Sequence, residues 1–297
     1  MNDKKLNILV TGGNGQLGRC LRDASKGSSN RYVFSDISDI PGMETIHLDI
    51  CNPGAVDIVS DSENIDVIVN CSGYTNVDKA EDETAFADQL NRQAVANLAA
   101  TAKRRGATLI HISTDYVFGG DASAPIAEDA QPSPLGVYGA TKLAGEKAVL
   151  SSACAHIIIR TAWLYSKYGR NFVKTIFEIS SGHPEIKVVS DQVGTPTYGP
   201  NLAKFIVGII DGGSLSHTGT YNFTDEGVCS WYDFASEIVS LSGHKCKVVP
   251  CRTEDYPTRA KRPHYSVLDK SLVAQTFGIS LPHWTEPLKT CIQELQK

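Results

Sequence analysis

The most restrictive feature of this chain is a glycine-rich turn directly after a short apolar run. Leu6–Thr11 reads LNILVT; Gly12-Gly13-Asn14-Gly15-Gln16-Leu17-Gly18 follows, and then a short helical pattern. Gly12, Gly15 and Gly18 fit G-x-x-G-x-x-G. Glycines so spaced permit a tight strand-to-helix turn and let the backbone approach a pyrophosphate, which then sits at the helix N-terminus. Without that context the string is as well explained as a plain turn. Here the next β-rich run, Arg31–Asp36, ends in a carboxylate, the residue type that binds an adenosine ribose diol. Asp49 closes a further β-like run, Glu44–Asp49, and is placed to face the adenine edge. Together these features predict a dinucleotide site.

The first half keeps the same rhythm. Asp66–Ser72, Ala107–Ser113 and His156–Thr161 are further strand candidates, mostly apolar as strands covered on both faces are. Phe86–Arg105 carries Leu90, Ala94, Leu98 and Ala102 at helical spacing and stops at Gly106. Strands alternating with helices predict an α/β fold, a Rossmann-type doubly wound parallel sheet. After Trp163 the rhythm loosens. Turns at Gly182–Pro184, Gly194–Pro200 and Gly212–Gly219 separate short strands (Lys187–Ser190, Gly219–Thr224, Lys247–Pro250) and helices such as Trp231–Ser242. The expected organisation is a dinucleotide-binding domain over residues 1–162 and a smaller α+β, mainly substrate-binding domain over residues 163–297. The boundary is soft, and the chain is free to cross it more than once. Ligands of such sheets bind beyond the carboxyl ends of the strands, so Gly12–Gly18, Asp36, Ser72–Thr75 and Thr114 should converge on one cleft.

Composition narrows the partners. Lys and Arg number 28 against 33 Asp and Glu, a net charge of -5, so broad attraction to nucleic acid or an anionic membrane is not expected. No run reaches the roughly 18 apolar residues of a membrane span, and Met1–Lys5 begins no signal-peptide pattern. The eight cysteines are scattered without C-x-x-C, as in a reduced, cytoplasmic protein. The histidines have no metal-ligand spacing, and no metal is expected.

Tyr138-Gly139-Ala140-Thr141-Lys142 puts a phenol and an ammonium on one helix face. A nearby ammonium stabilises phenolate and makes tyrosine a better acid at neutral pH. Such pairs also recur on solvated helices; this one gains meaning from the glycine motif and from a strand ending in Ser113-Thr114-Asp115. The acidic run Asp78, Glu81, Asp82 and Glu83 reads most simply as a solvated helix start. Arg259, Lys261 and Arg262 form either an exposed basic turn or a clamp for a diphosphate.

A glycine motif, a hydroxyl residue at a later strand end and Y-x-x-x-K resemble the extended short-chain dehydrogenase/reductase superfamily. The fuller strings resemble its dTDP-4-dehydrorhamnose reductase family. These are Asn70–Glu81 (NCSGYTNVDKAE), Ser113–Phe118 (STDYVF), Pro134–Glu146 (PLGVYGATKLAGE), Arg160–Tyr165 (RTAWLY), Asn171-Phe172, Asp191–Thr197 (DQVGTPT) and Arg262-Pro263. They run from the first strand nearly to the C-terminus. The resemblance implies an NADPH- or NADH-dependent oxidoreductase that reduces the 4-keto group of a nucleotide sugar, dTDP-4-keto-6-deoxy-L-mannose, to dTDP-L-rhamnose for polysaccharide biosynthesis.

By the same resemblance Tyr138 is the proton donor, Lys142 its electrostatic partner and a ribose ligand, and Thr114 the catalytic hydroxyl. Asp115 and Trp163 stand at the sugar, with Arg262 the further substrate candidate; read from its own strand end alone, Trp163 is equally well a core tryptophan unless a pocket opens there. Gly15, Gln16, Leu17, Asp36, Asp49, Ile50, Gly73, Tyr74, Thr75 and Ile112 match cofactor-contacting positions, alongside Gly12, Gly18 and Ser72. Asn91 matches a helix asparagine that supports the active-site lysine through water. Cys20 stands where some members carry a glutamate of a magnesium-linked dimer interface. That removes a hard oxygen ligand, so neither the metal nor that dimer is expected, and a homodimer of another kind stays open. Two alternatives share these motifs: a nucleotide-sugar epimerase, and a non-catalytic NADP-binding subunit resembling the regulatory subunit of methionine adenosyltransferase. Tyr116 in place of an acid after Asp115 disfavours a dehydratase.

Overall fold

Seven parallel strands make the central sheet of the computed structural model, which describes residues 5–297; the expectation about a signal peptide at Met1–Lys5 falls mostly outside the described residues. In chain order they are β1 (Asn7–Thr11), β2 (Arg31–Asp36), β3 (Ile46–His47), β4 (Val67–Asn70), β5 (Thr108–Thr114), β6 (Ala155–Thr161) and β7 (Gly219–Asn222). Their order across the sheet is β7-β6-β5-β4-β1-β2-β3, all in parallel register. The order reverses between β1 and β4, and at such a switch point a crevice opens beyond the strand ends.

Alternation along the strands explains why helices cover both faces. Ile8, Val10, Val67, Val69, Ile110, Ile157 and Ile159 pack into one core with helices α1 (Gln16–Ala24) and Gly199–Asp211. Leu9, Ile68, Leu109 and Ile158 face the opposite way, against the helix Ala94–Arg105. Each such fully buried side chain contributes about 1.5–3 kcal/mol. The helix Gly199–Asp211 buries Leu202, Ala203, Phe205, Ile206, Val207, Ile209 and Ile210, too wide an apolar face for a surface helix, and it docks on the sheet. It delivers β7 to the sheet edge, where Gly219 pairs with Ile157. The looser rhythm after Trp163 therefore conceals a segment that returns to the first layer.

A smaller α+β unit forms the other wall. Its core gathers Tyr165, Val173, Ile176, Phe234, Ile238, Trp284 and Leu288. Glu185–Val189 pairs in parallel with Lys247–Cys251, and Val193–Gly194 pairs antiparallel with Cys229–Ser230. Among the described residues no helix is long and apolar enough to cross a membrane.

The helix expected over Phe86–Arg105 is not uniform. Thr84–Asp88 runs into a π-helical turn at Gln89–Gln93 before the regular helix Ala94–Arg105, which ends on Gly106 at φ 68°. Such turns insert a residue and re-aim a side chain, often beside functional sites. Here the re-aimed side chain is Asn91.

Candidate active site

The strand ends β1, β2, β4, β5 and β6 all open into one cleft of about 890 Å³, lined by both units. Its first wall is the glycine turn. Gly12 adopts φ +68°, and a Cβ on Gly18 would lie 2.2 Å from the Gly12 carbonyl oxygen. Helix α1 begins at Gln16 with no side-chain cap, so its first-turn N–H groups are available where Gly15, Gln16 and Leu17 line the cleft. The Gln16 side chain is engaged: its Nε2 donates to the Leu164 carbonyl (3.0 Å), and its Oε1 accepts from Asn171 Nδ2 (2.9 Å). It ties the turn to the second wall.

Asp36 at the end of β2 is held by its own loop. One carboxylate oxygen accepts from Asn14 N (3.1 Å), the other from Ser38 N (3.0 Å) and Ser38 Oγ (2.8 Å). Asp49 and Ile50 line the same end, with His47 and Cys51 beside them. A backbone cradle at a helix N-terminus, followed by a carboxylate at the second strand end, fits an adenine dinucleotide. Arg19 does not turn toward this ribose end; its guanidinium lies 4.1 Å from the Tyr168 ring centroid.

Ser72, Gly73 and Thr75 line the cleft after β4. Three residues expected at the cofactor do not line it. Gly18 serves the packing of the turn described above. Tyr74 points its hydroxyl at Glu83 (2.7 Å) and packs edge-on against Phe86. Asn91 is buried, accepting from Tyr74 N (2.8 Å) and donating to the Tyr74 carbonyl and Thr141 Oγ1 (both 3.1 Å). From the π turn it fixes the loop that presents Gly73 and Thr75.

Tyr138 and Lys142 sit on the helix Val137–Ser152. Glu81 Oε1 accepts from Val137 N (2.8 Å) and so anchors the start of this helix. Lys142 is buried, and its Nζ donates to the Ile112 carbonyl on β5 (2.6 Å). Burial brings its pKa down to about 8, against the opposing pull of Glu146 and Cys71. Tyr138 packs edge-on against Tyr116, ring centroids 5.5 Å apart. Burial pushes its phenol up; the Thr114 hydroxyl pulls it down, while Asp115 and Tyr116 add to the rise. The lowering by Lys142 that the spacing suggests is not among these influences: the ammonium is turned to the Ile112 carbonyl, and a desolvated phenol resists ionising. At neutral pH this phenol holds its proton. Thr114 Oγ1 donates to Asp115 Oδ1 (2.9 Å) and accepts from Tyr116 N (3.2 Å). Asp115 is fully enclosed, and burial pushes its carboxyl up to about 6 against the pull of Ser266 and Thr114.

The second wall contributes Trp163, Leu164, Arg170, Asn171, Trp231 and Arg262. Arg262 donates to Asp78 Oδ2 (2.8 Å) and to the Tyr116 hydroxyl (3.2 Å). The acidic run is therefore not merely a solvated helix start. Asp78 holds Arg262 and Ala260 N, Asp82 holds Arg259, Glu81 anchors the helix of Tyr138, and Glu83 binds Lys79 and Tyr74. Asp78, Glu81 and Asp82 each fasten a segment distant in sequence, while Glu83 ties its own stretch together. Trp231 had no distinguishing signal in the sequence; it is brought in by the fold of the smaller unit. Cys20 is buried, its sulfur close to Gly199 and to the Ser166 hydroxyl.

Residues 6–297 match the family described as the RmlD substrate binding domain. A dTDP-4-dehydrorhamnose reductase of Aggregatibacter actinomycetemcomitans is 38% identical over 95% of this chain and 97% of its own length. A solved dTDP-4-dehydrorhamnose reductase of Clostridium acetobutylicum ATCC 824 superposes with a TM-score of 0.92 at 43% identity, covering 98% of this chain and 100% of that one. A third, from Bacillus anthracis str. Ames in complex with NADP, gives 0.91 at 36% identity, again over 98% and 100%.

Proposed function

The chain belongs to the RmlD family, and we propose that within it this protein reduces the 4-keto group of dTDP-4-keto-6-deoxy-L-mannose, yielding dTDP-L-rhamnose. It is an NAD(P)H-dependent oxidoreductase of nucleotide-sugar metabolism. The observation that carries the reading is the convergence of Gly12, Asp36, Thr114, Tyr138 and Lys142 on a single cleft from strand ends far apart in sequence.

The glycine turn and the start of α1 hold the pyrophosphate, Asp36 the adenosine ribose, and Asp49 and Ile50 the adenine end. Ser72, Gly73, Thr75 and Ile112 form the floor of the opposite end. Reduced nicotinamide supplies the hydride when bound. Thr114 orients the carbonyl oxygen of the sugar, Tyr138 delivers its phenolic proton to that oxygen, and Lys142 holds ribose and phenol in register. Arg262, presented by Asp78, offers a guanidinium to the diphosphate of the substrate. The eight unpaired cysteines support a cytoplasmic location.

The two competing readings separate cleanly by experiment. The isolated chain, with no partner protein, oxidises NADH or NADPH when given the nucleotide-linked 4-keto sugar, and it binds added cofactor reversibly. Copurification with a large partner and no carbonyl-dependent oxidation would favour the regulatory reading; a nucleotide retained through purification would favour an epimerase.

Cofactor choice follows from Asp36. Its carboxylate accepts from a ribose 2′-hydroxyl and repels a 2′-phosphate, and Arg19 is stacked elsewhere. Asp36→Ala shifts the ratio of NADH to NADPH affinity toward NADPH by about tenfold, the size of one charge-assisted hydrogen bond. Fluorescence titration with each nucleotide reads this directly. An unchanged ratio removes Asp36 from the ribose.

A further inference from the structure

The two indoles of the second wall form a built unit. Trp163 and Trp231 stack with ring centroids 3.5 Å apart and planes 10° from parallel. Trp163 stands at φ +49°, a left-handed conformation that a bulky residue adopts only when its surroundings impose it. Three contacts impose it here. Trp231 covers one face of the ring. Gly194 meets the Cε2–Cζ2 side so closely that a Cβ there would lie 2.7 and 2.8 Å from those atoms. The Trp163 carbonyl accepts from Thr197 N (3.3 Å) as the short Leu164–Tyr165 strand pairs with Thr197–Tyr198.

These supports come from one local structure. Gly194 pairs with Cys229 across the antiparallel strand, and Ser230 caps the helix that Trp231 begins, in a reciprocal capping box with Asp233. Phe172 backs Trp231 at 4.5 Å between centroids. Trp163 lies two residues after Thr161, which pairs with Thr114 in the β5–β6 register, so the stacked pair lines the same cleft as the hydroxyl cluster.

We propose that Trp231 and Gly194 are positioning residues that hold Trp163 in its strained conformation as a rigid apolar wall of the sugar subsite. Resting on the functional reading above, the wall presents indole to the sugar ring while Thr114 and Tyr138 address its keto oxygen. A wall organised before binding spares the substrate the cost of ordering it. Without the stack, Trp163 relaxes toward ordinary backbone conformations, and only the fraction still in place binds substrate well.

Trp231→Ala and Trp231→Phe test this in the full chain. The protein has three tryptophans, and Trp284 lies buried in the smaller unit's core, so an indole exciton couplet in the far-UV circular dichroism reports the stacked pair. Trp231→Ala abolishes the couplet, raises KM for the nucleotide sugar about tenfold and leaves kcat and the NADH dissociation constant within about twofold. Trp231→Phe, which keeps a ring on Trp163, recovers most of the KM. Gly194→Ala reproduces the KM rise with Trp231 intact. The proposal is overturned if the wild type shows no couplet, if KM is unchanged once the couplet is lost, or if kcat alone falls. Should the wild-type protein reduce no 4-keto sugar, the functional reading fails, while the couplet still reports the wall independently of turnover.

Discussion

Tyr138→Phe lowers the rate of keto-sugar reduction by about 10²–10⁴-fold while NADH binding stays near the wild-type value. The half-buried phenol lies on the cleft face of the helix Val137–Ser152, and desolvation holds it protonated at neutral pH. It therefore reaches the reaction carrying the proton that the forming alkoxide needs. Phenylalanine keeps the ring and its edge-on contact with Tyr116 but removes that proton and the hydroxyl beside Thr114. Apart from Lys142, which the substitution leaves in place, the proposed binding surfaces for the dinucleotide lie on other elements, so they persist. Lys142→Ala behaves differently and weakens both binding and turnover, because the ammonium is proposed to hold the ribose as well as the phenol. Single-turnover kinetics with prebound cofactor separate the two effects. If Tyr138→Phe turns over at nearly the wild-type rate, Asp115 becomes the proton donor to test; its carboxyl, raised to about 6, sits at the same strand end.

The second large effect concerns stability. Arg160→Leu destabilises the protein by about 3–5 kcal/mol, read from denaturant unfolding. Arg160 and Glu146 are both buried, joined by two parallel hydrogen bonds (Nε to Oε1 at 3.0 Å, Nη2 to Oε2 at 2.8 Å). Ser113 Oγ donates to the same carboxylate (2.5 Å), and Arg160 Nη1 to the Glu128 carbonyl (2.9 Å). Removing the guanidinium leaves a buried carboxylate with the Ser113 hydroxyl as its remaining side-chain hydrogen-bond partner. Replacing both partners together, Glu146→Leu with Arg160→Met, recovers most of the loss, since an apolar pair of similar volume does not need the compensation. Glu146 lies one helical turn beyond Lys142 and pulls its pKa up. The double variant is therefore stable yet holds a more readily deprotonated lysine. A single variant as stable as the wild type would show that the pair is not part of the core's support.

The elements that read most clearly from sequence are those whose physics is local. A glycine turn between an apolar strand and a helix, and runs of Val and Ile long enough to be covered on both faces, carry their own explanation. The alternation of strands and helices therefore led to the doubly wound sheet. Side chains whose meaning depends on distant partners did not read this way. Asp78, Glu81, Asp82 and Glu83 look like a solvated helix start until the fold brings Arg262, Val137 and Arg259 to them. Asn91 sits on a π turn, which has no hydrophobic period of its own, so the pattern Leu90–Ala94–Leu98 reads as one regular helix. Tyr74 matches a cofactor-lining position by its place in the chain, yet its ring turns to Glu83 and Phe86. Trp231 begins an ordinary amphipathic helix, and only the antiparallel pairing of Gly194 with Cys229 brings it over Trp163. The strand Gly219–Asn222 belongs to the central sheet because the apolar helix before it has nowhere else to be buried.

The central claim is that one cleft joins a dinucleotide, a 4-keto sugar and the Tyr138 phenol in a single reduction. The most direct measurement supplies the isolated protein with NADH deuterated on the transferable position and with dTDP-4-keto-6-deoxy-L-mannose, then locates the label in the product by NMR. The account predicts stoichiometric oxidation of the cofactor, deuterium on C4 of a newly formed dTDP-L-rhamnose, and loss of both when Tyr138 is phenylalanine. Recovery of the keto sugar without label on C4, either unchanged or epimerised at a carbon beside the carbonyl, with no net oxidation of NADH, would contradict it.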